Sequence, residues 1–483
     1  MSKVKRVNIN AIVPTVILGV ITILFAQCGS PTPESEPQIA IPETFTNLCS
    51  SCHGTNLKGE TAQSLLDGSW QFGSRTGDLF RSIKFGHPHF GMPSWGSVLD
   101  DEQINSLVDF LIETEKQLGI TKPAIPKEIE TQDYLVNVET FIDSLDTPWG
   151  IAFPDENTVL ITERPGRLRV VNNGVLNSEP VAGIPEVIAM GQGGLLDVVL
   201  DPDYSSNGWV YLSFSHGIHQ PEQEDTLISM TSIVRGKIKD NSWQEQQIIY
   251  QAPGQDYLPA SHHYGGRISF DNQGYLYFTV GDRGNSELAQ DLKKPNGKVH
   301  RIHADGSVPE SNPFYGQTEA LNTIYSYGHR NPQGITKHPE TGEIWEAEHG
   351  PLGGDELNLI KPSLNYGWPL ITHGINYDGE IISEVVRMEG MEQPALYWKP
   401  SIAVCGIDFY SGDLFPKWNN QLLVSALRFE EVQLLDIEGD RVIYQQTLLK
   451  NAGRVRQTSP GPDGAIYVVL NKPDKVLKLT PKS

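Results

Sequence analysis

One loose unit recurs six times between residues 134 and 483: an apolar strand, a polar turn and a second apolar strand. The copies read "GIAFPDENTVLITE", "DVVLDPDYSSNGWVYLSF", "RISFDNQGYLYFTVGD", "QGITKHPETGEIWEAEHG", "GIDFYSGDLFPKWNNQLLVSAL" and "QTSPGPDGAIYVVLN". A hairpin of this kind has an apolar face that it cannot cover alone, so the copies must pack on one another. The pattern predicts an all-β six-bladed β-propeller with one blade per unit, the last ending in "KVLKLTPK". The copies are unevenly spaced, so the loops between strands differ in length. Long insertions at one end of a propeller are the expected place for a site.

The N-terminal part has a different texture. Residues 1–28 read as a targeting segment, with Lys3, Lys5 and Arg6 ahead of an apolar run that stops at Cys28. A cysteine there suggests lipoprotein processing, although Gln27 precedes it where a small residue is usual; plain signal cleavage or an uncleaved anchor are the alternatives. All three outcomes imply an exported chain, periplasmic or at the cell surface, and two of them attach it to a membrane. Residues 29–42 are a Pro-, Ser- and Glu-rich tether. Residues 43–118 form a small compact segment and 119–133 a second linker. In "LDDEQINSLVDFLIE", Ile104, Leu107, Val108, Leu111 and Ile112 recur at helical spacing, and Asp100 or Asp101 can cap the helix.

The compact segment carries "CSSCHG". Cys49 and Cys52 are spaced to form thioethers to haem, and His53 follows at once as an iron ligand. The spacing also fits a redox dithiol or half of a zinc site, but no second pair follows for zinc. A haem that only carries electrons needs a sixth ligand. Met92 in "GMP" offers a thioether; His87 and His89 are the other candidates. The segment resembles a class I cytochrome c, a small all-α domain.

The net charge is -22, which argues against a nucleic-acid partner, since phosphate recognition needs clustered Lys and Arg. Of the four cysteines, Cys405 lies in an apolar strand-like run and reads as a small buried hydrophobe. Within the repeat region, Arg454 and Arg456 share one strand face. Arg330 in "GHRN" and Arg428 in "ALRFEE" bring the count of notable arginines to four, which suggests a small polyanion as ligand. A Gly-Pro stretch in acidic surroundings, "EHGPLGGDE", can offer main-chain oxygens to Ca²⁺.

The strings "TPWGIAF", "ITERPGRL", "GQGGLLDV", "HHYGGR", "VGDRG", "GHRNPQG", "EHGPLGGDELN", "NYGWP", "PSIA" and "RVR" run through all six units in order. In them residues 136–481 resemble the glucose/sorbosone dehydrogenase family, propeller enzymes that use pyrroloquinoline quinone (PQQ) and Ca²⁺ to oxidise aldoses. The resemblance implies His263 as general base, Arg330 stabilising the developing oxyanion and Gln192 orienting sugar or base. It implies Asn331, Ser401, Arg428, Arg454 and Arg456 on PQQ. It implies Gly350 and Pro351 on the Ca²⁺ beside PQQ, and Glu356 and Tyr366 on a further Ca²⁺. Asp282 has no assigned role. Two positions depart from the family: Arg428 stands where Lys is commoner, and His262 where glucose-active members have an acid.

The expected function is a PQQ- and haem c-dependent aldose dehydrogenase. It would yield a lactone and pass electrons through the haem to an external cytochrome, copper protein or quinone pool. A haem-propeller reductase and an eight-bladed quinoprotein alcohol dehydrogenase both need eight blades. A non-catalytic glycan- or partner-binding propeller is the remaining alternative.

Overall fold

The computed structural model describes residues 39–220 and 223–482. The targeting segment, with Cys28, lies outside the described residues. Six antiparallel sheets make up the large domain. Each quoted repeat supplies the two inner strands of one sheet; the second is Leu195–Leu200 and Val210–Gln220, the fifth Val404–Phe409 and Leu422–Ala426. These inner strands are buried almost throughout, which is why they read as apolar runs. The outer strands are barely legible: Arg441–Lys450 has a mostly exposed, mixed pattern.

The ring closes by mixing the two ends of the domain. Leu135–Ile142 is not part of the first blade. It pairs antiparallel with the terminal Lys475–Pro481, from Val136 opposite Pro481 to Ile142 opposite Val476. Glu128–Glu130 then pairs with Leu135–Asn137, giving the sixth sheet a fifth strand. A segment read as linker therefore belongs in part to the propeller, and Ile125 and Ile129 pack on the core that holds Leu477 and Leu479. The physical reason is the edge rule: closing the ring with a shared sheet leaves no long unpaired strand between its ends.

Arg267 plugs the axis of the ring. It donates to the Gln333 carbonyl (2.8 Å), Asp197 Oδ1 (3.2 Å), Gln457 Oε1 (2.9 Å) and the Arg456 carbonyl (2.9 Å). Its guanidinium lies 3.8 Å from the Trp149 ring centroid. One side chain thus ties five sheets at their centre, a use of the planar fork that lysine could not reproduce.

The N-terminal domain consists of short helices closed by Asp101–Gln117. Asp100 caps that helix in a reciprocal box with Gln103. Ile104, Leu107, Val108 and Leu111 are buried, as their spacing predicts, and pack with Phe45, Leu57 and Leu79. Each such burial contributes about 2 kcal/mol. Among the described residues no helix is long and apolar enough to cross a membrane.

Candidate active site

The residues singled out in the sequence converge at one end of the propeller, where inner strands begin and second strands end. His263 has a left-handed backbone (φ 54°) just ahead of its strand, a conformation costly for a side chain with a Cβ. Its N–H donates to Gln192 Oε1 at 2.8 Å, so Gln192 acts on the backbone of His263. Its Nδ1 donates to Asp282 Oδ1 at 2.7 Å, which leaves Nε2 to accept a proton. Asp282 is itself held by Trp368 Nε1 (2.8 Å) and the Gly284 N–H (2.8 Å). Burial first, then the charge of Arg330, lower the His263 pKa, while Asp282 opposes them. Histidine, orienting carboxylate and fixed tautomer are the parts of a general base.

Arg330 is buried and lies 5.3 Å from the Trp368 ring centroid. Its Nη1 donates to the carbonyls of His349 (3.1 Å) and Gly350 (2.8 Å). Arg454 donates to the Leu427 carbonyl (3.4 Å), and Arg456 to Gln333 Oε1 (3.3 Å). Among the described residues, none of these three arginines has a carboxylate partner within 4.0 Å. Burial first, then the charge of Arg456, lowers the Arg454 pKa, and burial with the charges of Arg267 and Arg164 lowers that of Arg456. The buried Asn331 Nδ2, Arg330 Nε and His349 Nε2 have no hydrogen-bond partner. Uncompensated guanidiniums and unpaired buried donors in one basin fit an acceptor-rich polyanion.

The carbonyl of Pro351 accepts from Ser401 Oγ at 3.3 Å. Behind it Asp355 receives the N–H groups of Gly350 and Val404, and burial raises its pKa to about 6. A Cβ on Gly350 would meet the Gly354 carbonyl at 2.0 Å, so only glycine allows this turn. Next to it lies a fully buried group: His329 Nδ1 is 3.2 Å from Glu348 Oε1 and 3.8 Å from Glu346 Oε2. Glu356 faces Glu348 across the strand pair, and burial with the like charge of Glu348 raises the Glu356 pKa well above the ordinary carboxylate value. The Tyr366 ring stacks on His329 at 4.7 Å, but its hydroxyl donates to the Leu359 carbonyl.

In the small domain a cavity of about 830 Å³ is lined by Cys49, Cys52 and His53, with Met92 also in its wall. His53 Nδ1 donates to the Gln63 carbonyl (3.4 Å), leaving Nε2 for a metal. His87 is not in the cavity wall: its Nε2 bonds Ser82 Oγ at 3.0 Å and its ring stacks on Phe72 at 3.6 Å. The geometry favours Met92 over His87. The His89 side chain lies outside the described residues.

Residues 145–478 match the family described as Glucose / Sorbosone dehydrogenase. The chain belongs to that family. Residues 40–111 match a second family, Cytochrome C oxidase, cbb3-type, subunit III. The chain is 41% identical over 356 residues to Aldose sugar dehydrogenase YliI of Escherichia coli (strain K12), covering 72% of this chain and 94% of that protein. The crystal structure of the soluble aldose sugar dehydrogenase from E. coli in its apo-form superposes with a TM-score of 0.67 at 38% identity, over 72% of this chain and all of the other (100%). The PQQ-bound aldose sugar dehydrogenase from Streptomyces coelicolor gives 0.58 at 26% identity, over 74% and 100%. This member of the family is therefore an oxidoreductase that joins a PQQ sugar dehydrogenase propeller to a cytochrome c domain.

Arg428, expected on PQQ, has its Nη2 taken by Asp78 of the cytochrome domain at 3.0 Å. Asp78 is a buried carboxylate, so the pair is charge-assisted and shielded from water. Cys405 is buried as expected, but its Sγ lies 3.4 Å from Arg456 Nη1, at the edge of the basin. Sequence reasoning missed Trp368 and left Asp282 unassigned, although both stand in the quoted strings "NYGWP" and "VGDRG". Only their shared hydrogen bond reveals them as one support for the base.

Proposed function

We propose that this protein oxidises an aldose at the anomeric carbon to the lactone and passes the electrons through haem c to an external acceptor. The observation that carries the reading is the meeting of the oriented His263–Asp282 pair with three arginines that have no carboxylate within 4.0 Å among the described residues. PQQ, when bound, supplies a quinone carbonyl that accepts a hydride. Arg454 and Arg456 would hold its carboxylates, Asn331 Nδ2 would gain the acceptor it lacks, and Ser401 would be a further polar contact. His263 Nε2 takes the proton of the anomeric hydroxyl, and Arg330 stabilises negative charge that develops at the reacting oxygen.

Ca²⁺ is part of the proposal. The Gly350 and Pro351 carbonyls are oxygen donors of the kind it prefers. A second cation at Glu356 would relieve the crowding of the buried Glu346 and Glu348 and the half-buried Glu356, which have no lysine or arginine partner within 4.0 Å among the described residues. The Tyr366 hydroxyl is committed elsewhere, so that cation would draw on main-chain oxygen there. Export, with a membrane anchor through Cys28, completes the reading; palmitate labelling lost in Cys28→Ala would support it.

The test is reconstitution of the haem-bearing chain with PQQ and Ca²⁺, followed by a panel of aldoses. Haem reduction seen in the visible bands, and its loss in His263→Ala with haem attachment intact, is the expected result. Failure of every aldose to reduce either the haem or an added dye would overturn the reading.

A further inference from the structure

The two domains meet at a patch that joins the haem cavity to the basin. Phe72 lines the cavity and lies edge-on to Phe429 of the propeller, ring centroids 5.9 Å apart. Residues 427–430 form the turn after the fifth blade's second strand, Leu422–Ala426. Arg428 Nη2 donates to Asp78 and, at 3.4 Å, to the Phe72 carbonyl. Leu427, one residue earlier, accepts from Arg454 of the basin. Asn451 Nδ2 donates to Ser69 Oγ at 2.7 Å, and Lys122 meets Glu430. From cavity wall to basin arginine, the contacts are continuous.

The electrostatics of the patch are lopsided. Asp78 is 2% exposed and holds Arg75 and Arg81 of its own domain as well as Arg428. One carboxylate therefore faces three guanidiniums. Arg75 also lowers the Arg454 pKa, so the cytochrome domain adds positive charge to the basin. A cytochrome domain seated by such a buried pair is positioned, not merely tethered.

The geometry points to this patch as the intramolecular electron exit, with Asp78–Arg428 as its latch and Phe72–Phe429 as its bridging contact. The inference rests on the sugar-dehydrogenase reading. Oxidation of one aldose to lactone releases a hydride and a hydroxyl proton, that is, two electrons and two protons. The protons reach solvent from the basin, the first by way of His263. The electrons cross the patch one at a time, each reducing ferric haem to ferrous. An external one-electron acceptor reoxidises the haem between the two crossings. Arg428 is then a positioning residue, through the Nη2 that holds Asp78.

The test uses the full chain with haem, PQQ and Ca²⁺, and the variants Phe429→Leu, Asp78→Asn and Asp78→Glu. Stopped-flow haem reduction by aldose is compared with reduction of a small dye that takes electrons directly from the basin. Phe429→Leu and Asp78→Asn should slow haem reduction by about tenfold or more while dye reduction is kept, and Asp78→Glu should recover most of the rate. Independently of activity, hydrogen exchange in the cofactor-free chain should rise at residues 69–83 and 119–127 in Asp78→Asn and fall back in Asp78→Glu. Haem reduction at wild-type rate in both Phe429→Leu and Asp78→Asn, or dye and haem rates falling together, would overturn the inference. A wild-type chain that reduces neither dye nor haem would instead sink the sugar-dehydrogenase reading.

Discussion

Asp282 holds His263 with one carboxylate oxygen (2.7 Å) and Trp368 with the other (2.8 Å), so the base and the indole are fixed by a single side chain. The Trp368 ring in turn flanks Arg330. Base, carboxylate, indole and guanidinium form one support, and a change to the carboxylate should be felt by the base before it is felt by the fold.

The first prediction concerns the titration of His263. Burial and Arg330 lower its pKa from 6.5, and Asp282 pulls it back up. A group whose folded pKa lies below its unfolded value keeps its stabilising contribution above the unfolded value and loses it as pH falls through the folded one. His263 is therefore neutral and ready as a base at pH 7, and protonates only in acid. Asp282→Asn removes the upward pull and should move the imidazole titration of the cofactor-free protein further down, read by NMR. Because the tautomer is also lost, turnover should fall on the order of 10³–10⁴-fold.

Gly281 gives a prediction with opposite emphasis. A Cβ there would meet the His263 carbonyl at 2.2 Å and Asn331 Oδ1 at 3.1 Å. Gly281→Ala must displace the loop that holds the base at its left-handed backbone. The expected outcome is a cost of roughly 2–3 kcal/mol in a urea melt together with a fall in kcat. A variant with unchanged kcat would show that the loop tolerates the shift.

Arg454 should be better for the holoenzyme than for the empty protein. Its charge is half-buried beside Arg456, and among the described residues it has no carboxylate partner within 4.0 Å. Arg454→Gln should therefore stabilise the cofactor-free chain by on the order of 1 kcal/mol. The same change should shrink the rise in melting temperature that added PQQ produces, since that rise measures ligand affinity. Calorimetry with and without PQQ reads both.

These sites show what the sequence could and could not reveal. The inner hairpins were legible because both faces of strands such as Leu422–Ala426 are buried, which leaves an unbroken apolar run. The closure by Leu135–Ile142 was not, because pairing of residues 136 and 481 leaves no local signature. His263, Gln192 and Arg330 stood in family strings, whereas the Arg428–Asp78 pair could not be read, because Asp78 comes from the other domain. Charge can be read along a chain; the choice between two partners for it depends on burial, which only the fold supplies.

The last prediction returns to the haem. His53 and Met92 both line the cavity, whereas His87 does not and has its Nε2 bonded to Ser82. An electron carrier is best closed to small ligands, and a thioether sixth ligand raises its potential. Met92→Ala should keep the haem attached through Cys49 and Cys52, lower its reduction potential and open the iron to carbon monoxide. The wild-type ferrous protein should bind carbon monoxide only weakly. If instead Met92→Ala stayed closed to the gas, a histidine would be filling the sixth position, and the carbon monoxide difference spectrum of Met92→Ala/His87→Ala would decide whether that histidine is His87.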